Sequence, residues 1–331
     1  MTNRFLPAAL LALAVTLSAC SGASEMGATD EIRIADVDPR TLTFPDLGEI
    51  ELPEVRRVEL DNGLTILLTE DRGLPLVRAS ARIGMGSLWD PADQAGLASL
   101  AAQTMRSGGA GDLGPDALNE ALENLGASVE VFAGDDGSTA SMTTLTQNLG
   151  TVLPLFVDVL TAPQFDAEKI ELAKTQTKSG ISRRNDSPQG IAVRELFERL
   201  YAEGSPYAQQ EEYYTIDAIS RDDIVAFHRE YVRPENTLLA VWGDFDAAEM
   251  EGRLRDAFGA WTGTGAPSPE VPAVEFTEGP AVYTVEKADV NQSTVLIGHP
   301  GSIRFDHPDY PAVVMMNQVL GGGFGSRLFQ T

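Results

Sequence analysis

Two short runs of alternating apolar and polar residues flank the tripeptide Asp61-Asn62-Gly63, and this pattern predicts a hairpin. The runs cover residues 55–60 and 64–69. An Asn-Gly pair between alternating runs favours a tight turn, because both residues tolerate a left-handed backbone. A third alternating run, residues 76–85, follows. The folded part of the chain therefore begins with antiparallel strands.

Helical and strand patterns then alternate irregularly along the chain. Apolar residues at helical spacing, bounded by proline or glycine, predict helices, and short alternating or continuous apolar runs predict strands. The predicted helices cover residues 94–106, 115–125, 152–160, 166–184, 191–201, 221–231, 247–258 and 311–320. The further predicted strands cover residues 128–133, 139–145, 237–242, 281–286 and 293–299. Because strict βαβ alternation is missing, we predict an α+β fold in which an antiparallel sheet packs with helices.

The order of elements repeats after a linker rich in Gly and Pro. Residues 55–262 form the first predicted domain, residues 263–279 the linker, and residues 280–331 the start of a second domain. Each unit runs from strands through a break rich in Asp and Pro to a helix that ends at glycines. The second unit stops after its first helix, which would leave its sheet unpaired. We therefore predict a truncated chain whose second repeat is incomplete.

The N-terminus resembles a lipoprotein signal. Arg4 precedes an apolar run, residues 5–17, that is too short to span a bilayer. Small residues lead to Cys20, the only cysteine of the chain. Residues 1–20 are therefore predicted to be a signal peptide with a lipobox, whose cleavage leaves a lipid on Cys20. The alternative is an ordinary secretory signal with a chance cysteine.

The residues after Cys20 predict the location. Ser21 stands where an Asp would favour retention in the inner membrane, so we predict the periplasmic face of the outer membrane of a Gram-negative bacterium. Residues 21–54 are rich in Asp and Glu among prolines and glycines, which is typical of a solvated acidic tether. The protein would contact the membrane through its lipid anchor.

Charge and histidine content narrow the classes of function. The chain of 331 residues has a formal net charge of −25, which argues against binding to nucleic acid. Its three histidines, His228, His299 and His307, have no second His or Cys at metal-ligand spacing. The sequence alone therefore indicates no conventional metal site.

Several segments together resemble the insulinase/pitrilysin-like zinc metallopeptidases, a family that includes the mitochondrial processing peptidases. The resemblance extends over nearly all of residues 55–331 and depends on the order and spacing of its motifs. These motifs are Leu60-Asp61-Asn62-Gly63-Leu64, Gly86-Ser87, Gly96-Leu97-Ala98, Pro163-Gln164-Phe165, Tyr231-Val232-Arg233-Pro234-Glu235-Asn236, Gly298-His299-Pro300-Gly301 and Gly321-Gly322-Gly323-Phe324-Gly325-Ser326-Arg327-Leu328. The resemblance implies a clam-shell architecture of two repeats.

The resemblance places the family's inverted zinc motif, His-x-x-Glu-His, on Ser99, Ala102 and Gln103. In active relatives two imidazoles and a further Glu hold zinc while the Glu of the motif activates water. A hydroxyl, a methyl group and an amide are poor substitutes, and the third ligand falls near Ser179 and Gly180, where no carboxylate stands. The resemblance thus implies a degenerate site that lacks catalytic residues and metal ligands, needs no zinc or other cofactor, and does not hydrolyse peptides alone.

Members of this family often work as pairs of a zinc-containing and a zinc-free subunit. The leading hypothesis is therefore a subunit that forms a hetero-oligomer with an active zinc-containing paralogue and helps to enclose extended peptides. Family members bind peptides by adding a strand to a sheet edge. The corresponding edge strand here comprises Val129, Glu130, Val131, Phe132 and Ala133.

Two alternatives stay open. The first is an active zinc metalloendopeptidase with unconventional ligands, for which His228, His299 and His307 would have to converge with carboxylates. The second is a stand-alone peptide-binding or assembly lipoprotein without a protease partner.

Overall fold

A six-stranded sheet backed by helices organises the protein. The computed structural model describes residue 43, residues 53–301 and residues 303–331. The predicted signal peptide, Cys20 and almost all of the acidic tether lie outside the described residues. Within the described part, none of the helices combines the length and the apolar character needed to cross a membrane.

The sheet has the strand order β1-β2-β6-β3-β5-β4. Its strands are β1 (Arg56–Glu59), β2 (Thr65–Glu70), β3 (Leu76–Ile83), β4 (Ser128–Ala133), β5 (Ser138–Leu145) and β6 (Thr237–Gly243). The α+β class is confirmed, with one correction: the sheet is mixed, because β2 and β6 run parallel. A parallel pair needs a long crossover, and the helices between β5 and β6 supply it.

Helices fill the connections between the strands and continue after the last strand. They are α1 (Leu97–Ser107), α2 (Pro115–Asn124), α3 (Leu149–Thr161), α4 (Ala167–Arg183), α5 (Pro188–Leu200), α6 (Tyr213–Ala218), α7 (Arg221–Tyr231), α8 (Ala247–Phe258), α9 (Tyr310–Gly321) and α10 (Arg327–Gln330). The predicted N-cap of α4 is present, since the Asp166 carboxylate accepts a hydrogen bond from the Lys169 amide at 3.0 Å.

The core lies between the sheet and the helices. In β3, Val77, Ala79, Ala81 and Ile83 alternate with more exposed residues and are at most 2% exposed. This alternation directs one face of the sheet to the apolar faces of the helices. Burial on this scale is the main stabilising contribution to such a fold.

The predicted hairpin forms and is fastened to the end of α8. Gly63 adopts φ +90°, and the Leu60 amide donates to the Leu64 carbonyl at 2.9 Å. The Asn62 side-chain amide donates to the carbonyl oxygens of Phe258 and Trp261, both at 2.9 Å. The turn thus joins the two ends of the first predicted domain.

The strands predicted over residues 281–286 and 293–299 are wrong. In the described residues, this segment forms no strand, and the single nearby bridge pairs Phe276 with Tyr201. An isolated extended segment gains no ladder hydrogen bonds, and no partner strand lies beside this one in the described part of the chain.

The predicted linker is held to the first domain at several points. The Glu235 carboxylate accepts hydrogen bonds from the amides of Thr264 and Gly265, each at 2.9 Å. Further along, the Tyr207 hydroxyl donates to the Pro272 carbonyl at 2.9 Å. The Phe276 ring then stacks on Tyr201 with a centroid separation of 5.5 Å. The linker therefore has fixed contacts with the first domain.

Candidate functional site

A buried carboxylate sets the start of α1, the helix that carries the degenerate motif. Asp90 accepts hydrogen bonds from the amides of Gly96 and Ala98, both at 2.9 Å. Gly96 has φ +106°, and a Cβ there would lie 2.6 Å from Cδ1 of Ile216. Only glycine fits this left-handed position, so the first turn of α1 has one defined placement.

The three motif positions of α1 have different surroundings. Ser99 and Gln103 are exposed and lie one helical turn apart. Ala102 is 1% exposed and belongs to the hydrophobic core. The position predicted to match the catalytic Glu of active relatives is thus occupied by a buried methyl group.

Gln103 makes its side-chain contact with α4. Its Nε2 donates to Oε1 of Gln176 at 2.9 Å. We call these two side chains the amide pair. Gln176 lies one turn before Gly180, where the third ligand was expected. A Cβ at Gly180 would meet no atom within 4 Å, so the space beside this part of α4 is open.

Glu211, which precedes α6, is a carboxylate close to Ser99. Burial raises the pKa of Glu211 above its usual range, and the nearby Ser99 hydroxyl opposes the rise. Burial likewise raises the pKa of Asp90 to about 6; its two backbone hydrogen bonds oppose the shift, and the charge of Glu211 adds to it. Glu211 was not predictable from the sequence, because its loop position carries no periodic signal.

The donors around the motif do not fit zinc. They are the Ser99 hydroxyl, the amide pair and the single carboxylate of Glu211, whereas zinc sites in proteins use His, Cys and carboxylate ligands. In the described ranges, no group of three or more His, Cys, Asp or Glu side chains could hold a metal ion. The arrangement can donate and accept hydrogen bonds, as a peptide backbone does, but it offers no base beside Ala102.

The three histidines have separate environments. His228 is buried, and its Nε2 lies 2.9 Å from the carbonyl oxygen of Leu160. Burial lowers the pKa of His228 to about 4, which keeps the ring neutral at physiological pH. His299 and His307 are exposed. None of the three joins a ligand cluster within the described residues.

The predicted edge strand, residues 129–133, lies within β4, the outermost strand beside β5. Val129 and Val131 face the core, whereas Glu130 and Phe132 are exposed, Phe132 by 66%. Ala133 is half-buried. The strand therefore has the position that peptide addition requires, and its role in peptide binding stays a prediction.

Comparison with known families agrees with this geometry. The family profile described as Insulinase (Peptidase family M16) matches residues 65–209. The profile described as Peptidase M16 inactive domain matches residues 218–331. The chain belongs to the insulinase-like M16 peptidase family, and its features are those of the non-catalytic members.

Some relatives are named as zinc proteases, and one is named as a non-peptidase homolog. An uncharacterized zinc protease of Mycobacterium leprae is 27% identical over 286 residues, which cover 83% of this chain and 62% of that protein. A Helicobacter pylori protein described as the non-peptidase homolog YmxG is 26% identical over 256 residues, covering 75% of this chain and 56% of that protein. The chain thus spans less than two thirds of the length of these relatives.

Solved structures share the fold. A crystal structure described as a peptidase M16 inactive domain from Pseudomonas fluorescens has a TM-score of 0.67 and 27% identity, covering 84% of this chain and 67% of that one. The periplasmic protease PqqL of Escherichia coli has a TM-score of 0.60 and 18% identity, covering 68% of this chain and 26% of that one.

Proposed function

We propose that this protein is a zinc-free M16 subunit that pairs with an active zinc-containing relative and helps to hold extended peptides for proteolysis. The observation that carries the proposal is the amide pair on α1 and α4. Gln103 Nε2 donates to Gln176 Oε1 at the position where the resemblance predicts a zinc-binding imidazole in active relatives. A carboxamide is a much weaker zinc donor than an imidazole or a carboxylate, so neither glutamine replaces such a ligand.

The missing base supports the same conclusion. Hydrolysis on zinc needs a carboxylate that takes a proton from the bound water. Ala102 is buried within the core at that position. Glu211 lies beside Ser99 at the start of the motif, but α1 itself carries no acidic residue. The protein would therefore contribute surface and peptide contacts, and the partner would contribute chemistry.

The edge strand β4 supports peptide holding. Strand addition recognises the main chain of a peptide, so it tolerates many sequences. Glu130 and Phe132 project from the open face of β4 and would give a peptide one acidic and one aromatic neighbour. Such contacts suit binding without hydrolysis.

Periplasmic location is part of the proposal. The lipobox before Cys20 supports an anchor in the outer membrane. Labelling cells with a palmitate analogue should mark the wild-type protein and leave a Cys20→Ser variant unmarked. Equal labelling of both proteins, or of neither while a control lipoprotein is marked, would contradict lipid attachment at Cys20.

The decisive test uses the full-length protein, alone and together with a relative from the same genome that has an intact His-x-x-Glu-His motif. We expect substoichiometric zinc by elemental analysis and no cleavage of reduced, carboxymethylated lactalbumin by the protein alone. Co-expression should yield a complex that cleaves this substrate faster than the relative does by itself. Stoichiometric zinc with chelator-sensitive cleavage by the lone protein would overturn the proposal. Peptide binding without any complex would instead favour a stand-alone binding lipoprotein.

A further inference from the structure

We infer that Arg106 closes one end of the edge strand, so that an added peptide can pair only with Val131 and Ala133. Arg106 would thus determine the register and the length of peptide that β4 accepts. This inference rests on the proposed peptide-holding function of the same strand.

The hairpin after β4 defines which main-chain groups point away from the sheet. The Gly134 amide donates to the Gly137 carbonyl at 3.0 Å, so these two residues form a hydrogen-bonded pair. Pairs alternate along an antiparallel ladder. Ala133, Val131 and Val129 therefore occupy non-hydrogen-bonded positions opposite β5, and their amides and carbonyls point outward.

Arg106 already donates a hydrogen bond to one of these outward-pointing groups, the carbonyl of Val129. Its Nε donates to the carbonyl oxygen of Val129 at 2.7 Å. Its Nη1 donates to Oδ1 of Asn119, on α2, also at 2.7 Å. The guanidinium is held from both sides, and hydrogen bonds from a charged donor are stronger than neutral ones. A peptide amide approaching Val129 would have to displace it.

The exposed fraction of the outward-pairing residues increases along β4 from Val129 toward the hairpin. Val129 is 0% exposed and Val131 is 5% exposed, while Ala133 is half-buried. Among the described residues, neither Val131 nor Ala133 has an outward main-chain hydrogen bond to another segment. The end of β4 next to the hairpin is therefore the part that a peptide can reach. Charged side chains that block a sheet edge are a known way to limit strand addition.

The exposed side chains indicate the peptide that fits. Phe132 and Glu130 alternate with the outward-pairing residues on the open face of the strand. A directly opposed residue lies close enough to interact with each of them. An extended segment with an apolar residue opposite Phe132 and a basic residue two positions away, opposite Glu130, matches both.

The test compares wild type with Arg106→Leu, which keeps an apolar stem and removes the donors. The probe is a fluorescein-labelled peptide of alternating Val and Thr with Lys at each end, followed by fluorescence anisotropy. A set of peptides, each N-methylated at one position, reports which peptide amides donate to the strand. Arg253→Leu, which removes an exposed arginine on α8, is the matched control.

We expect N-methylation to weaken binding at the same peptide positions for wild type and Arg253→Leu. For Arg106→Leu, we expect it to weaken binding at one further position, two residues along the peptide, because the Val129 carbonyl is then free to accept a hydrogen bond. The extra bond should tighten binding about two- to tenfold. Binding by Arg106→Leu alone would show that wild type holds no peptide at Val131 and Ala133, and would overturn the inference. An unchanged methylation pattern with intact binding would overturn the role of Arg106 and leave peptide holding standing. Absence of binding by all three folded proteins would overturn both. If Arg106→Leu does not fold, Arg106→Gln, which is too short to reach both partners, replaces it.

Discussion

Gln103 on α1 and Gln176 on α4 share a hydrogen bond of 2.9 Å across the groove between the two helices. The two helices run antiparallel here, because Ser99 lies near Glu211 and Arg184, just past the end of α4, donates to the Glu211 carbonyl at 3.1 Å. Ser99 and Gly180 therefore lie on the same side of the amide pair. The positions predicted to match the ligands of active relatives thus lie on facing parts of α1 and α4.

Restoring three ligands should restore zinc binding. The triple variant Ser99→His, Gln103→His and Gly180→Glu places two imidazoles on one face of α1 and a carboxylate in the open space beside Gly180. It leaves the buried Ala102 unchanged, so no acid enters the core. We expect one zinc per chain by isothermal titration calorimetry and no hydrolysis, because the base is still missing. The double variant without Gly180→Glu is the control and should bind zinc more weakly; equal affinities would show that α4 is out of reach.

Asp90 should make the protein more stable as pH falls from neutral to about 4. Burial raises the pKa of Asp90 from its ordinary value of 3.8 to about 6, so the native state binds more protons in this window and its stability declines as pH rises. Asp90→Asn should flatten this part of the profile, a change of about 2–3 kcal/mol. Urea unfolding at a series of pH values measures it. The exposed Asp93→Asn should leave the slope as in wild type.

His228 should have the opposite effect in an overlapping window. Burial lowers the pKa of His228 from its ordinary value of 6.5 to about 4, so the unfolded state binds more protons and stability is lost as pH falls through this range. His228→Gln keeps an Nε2 donor for the Leu160 carbonyl and does not titrate. We expect it to remove an acid-side loss of about 3 kcal/mol. A profile parallel to that of wild type would show that the ring is not buried in its neutral form.

Asn62→Ala should destabilise the first predicted domain. The substitution removes two hydrogen bonds and leaves the carbonyl oxygens of Phe258 and Trp261 without this donor. The expected cost is about 1–3 kcal/mol in the free energy of unfolding. Asn124→Ala, at an exposed position at the end of α2, should stay within about 0.5 kcal/mol of wild type. Similar losses for both variants would contradict a fastening role for Asn62.

Local patterns were sufficient for most elements of the fold. The hairpin around Asn62-Gly63 and helices such as α7 follow from residues that are neighbours in sequence, and the structure confirms them. The parallel pairing of β2 with β6 was not predictable from local pattern, because it joins segments separated by seven helices. The segment 281–286 was predicted as a strand from its alternating pattern, but it forms none, because such a pattern needs a partner strand.

The resemblance predicts the motif positions Ser99, Ala102 and Gln103, and this assignment stays a prediction. The amide pair was not predictable, because it depends on how α4 lies against α1. Gln176 could have been found from its helical spacing to Gly180, one turn away. Glu211 gave no such signal, because it reaches Ser99 from a loop.

The contacts of the linker have a mechanical consequence. Tension applied to the chain beyond Thr277 meets the Tyr201–Phe276 bridge and the stacked rings before it reaches Gly265. A pull on this part of the chain would therefore act on the end of α5 before it acts on Glu235, which holds Gly265. A segment with the composition of a flexible spacer is thus attached to the first predicted domain at several points along its length.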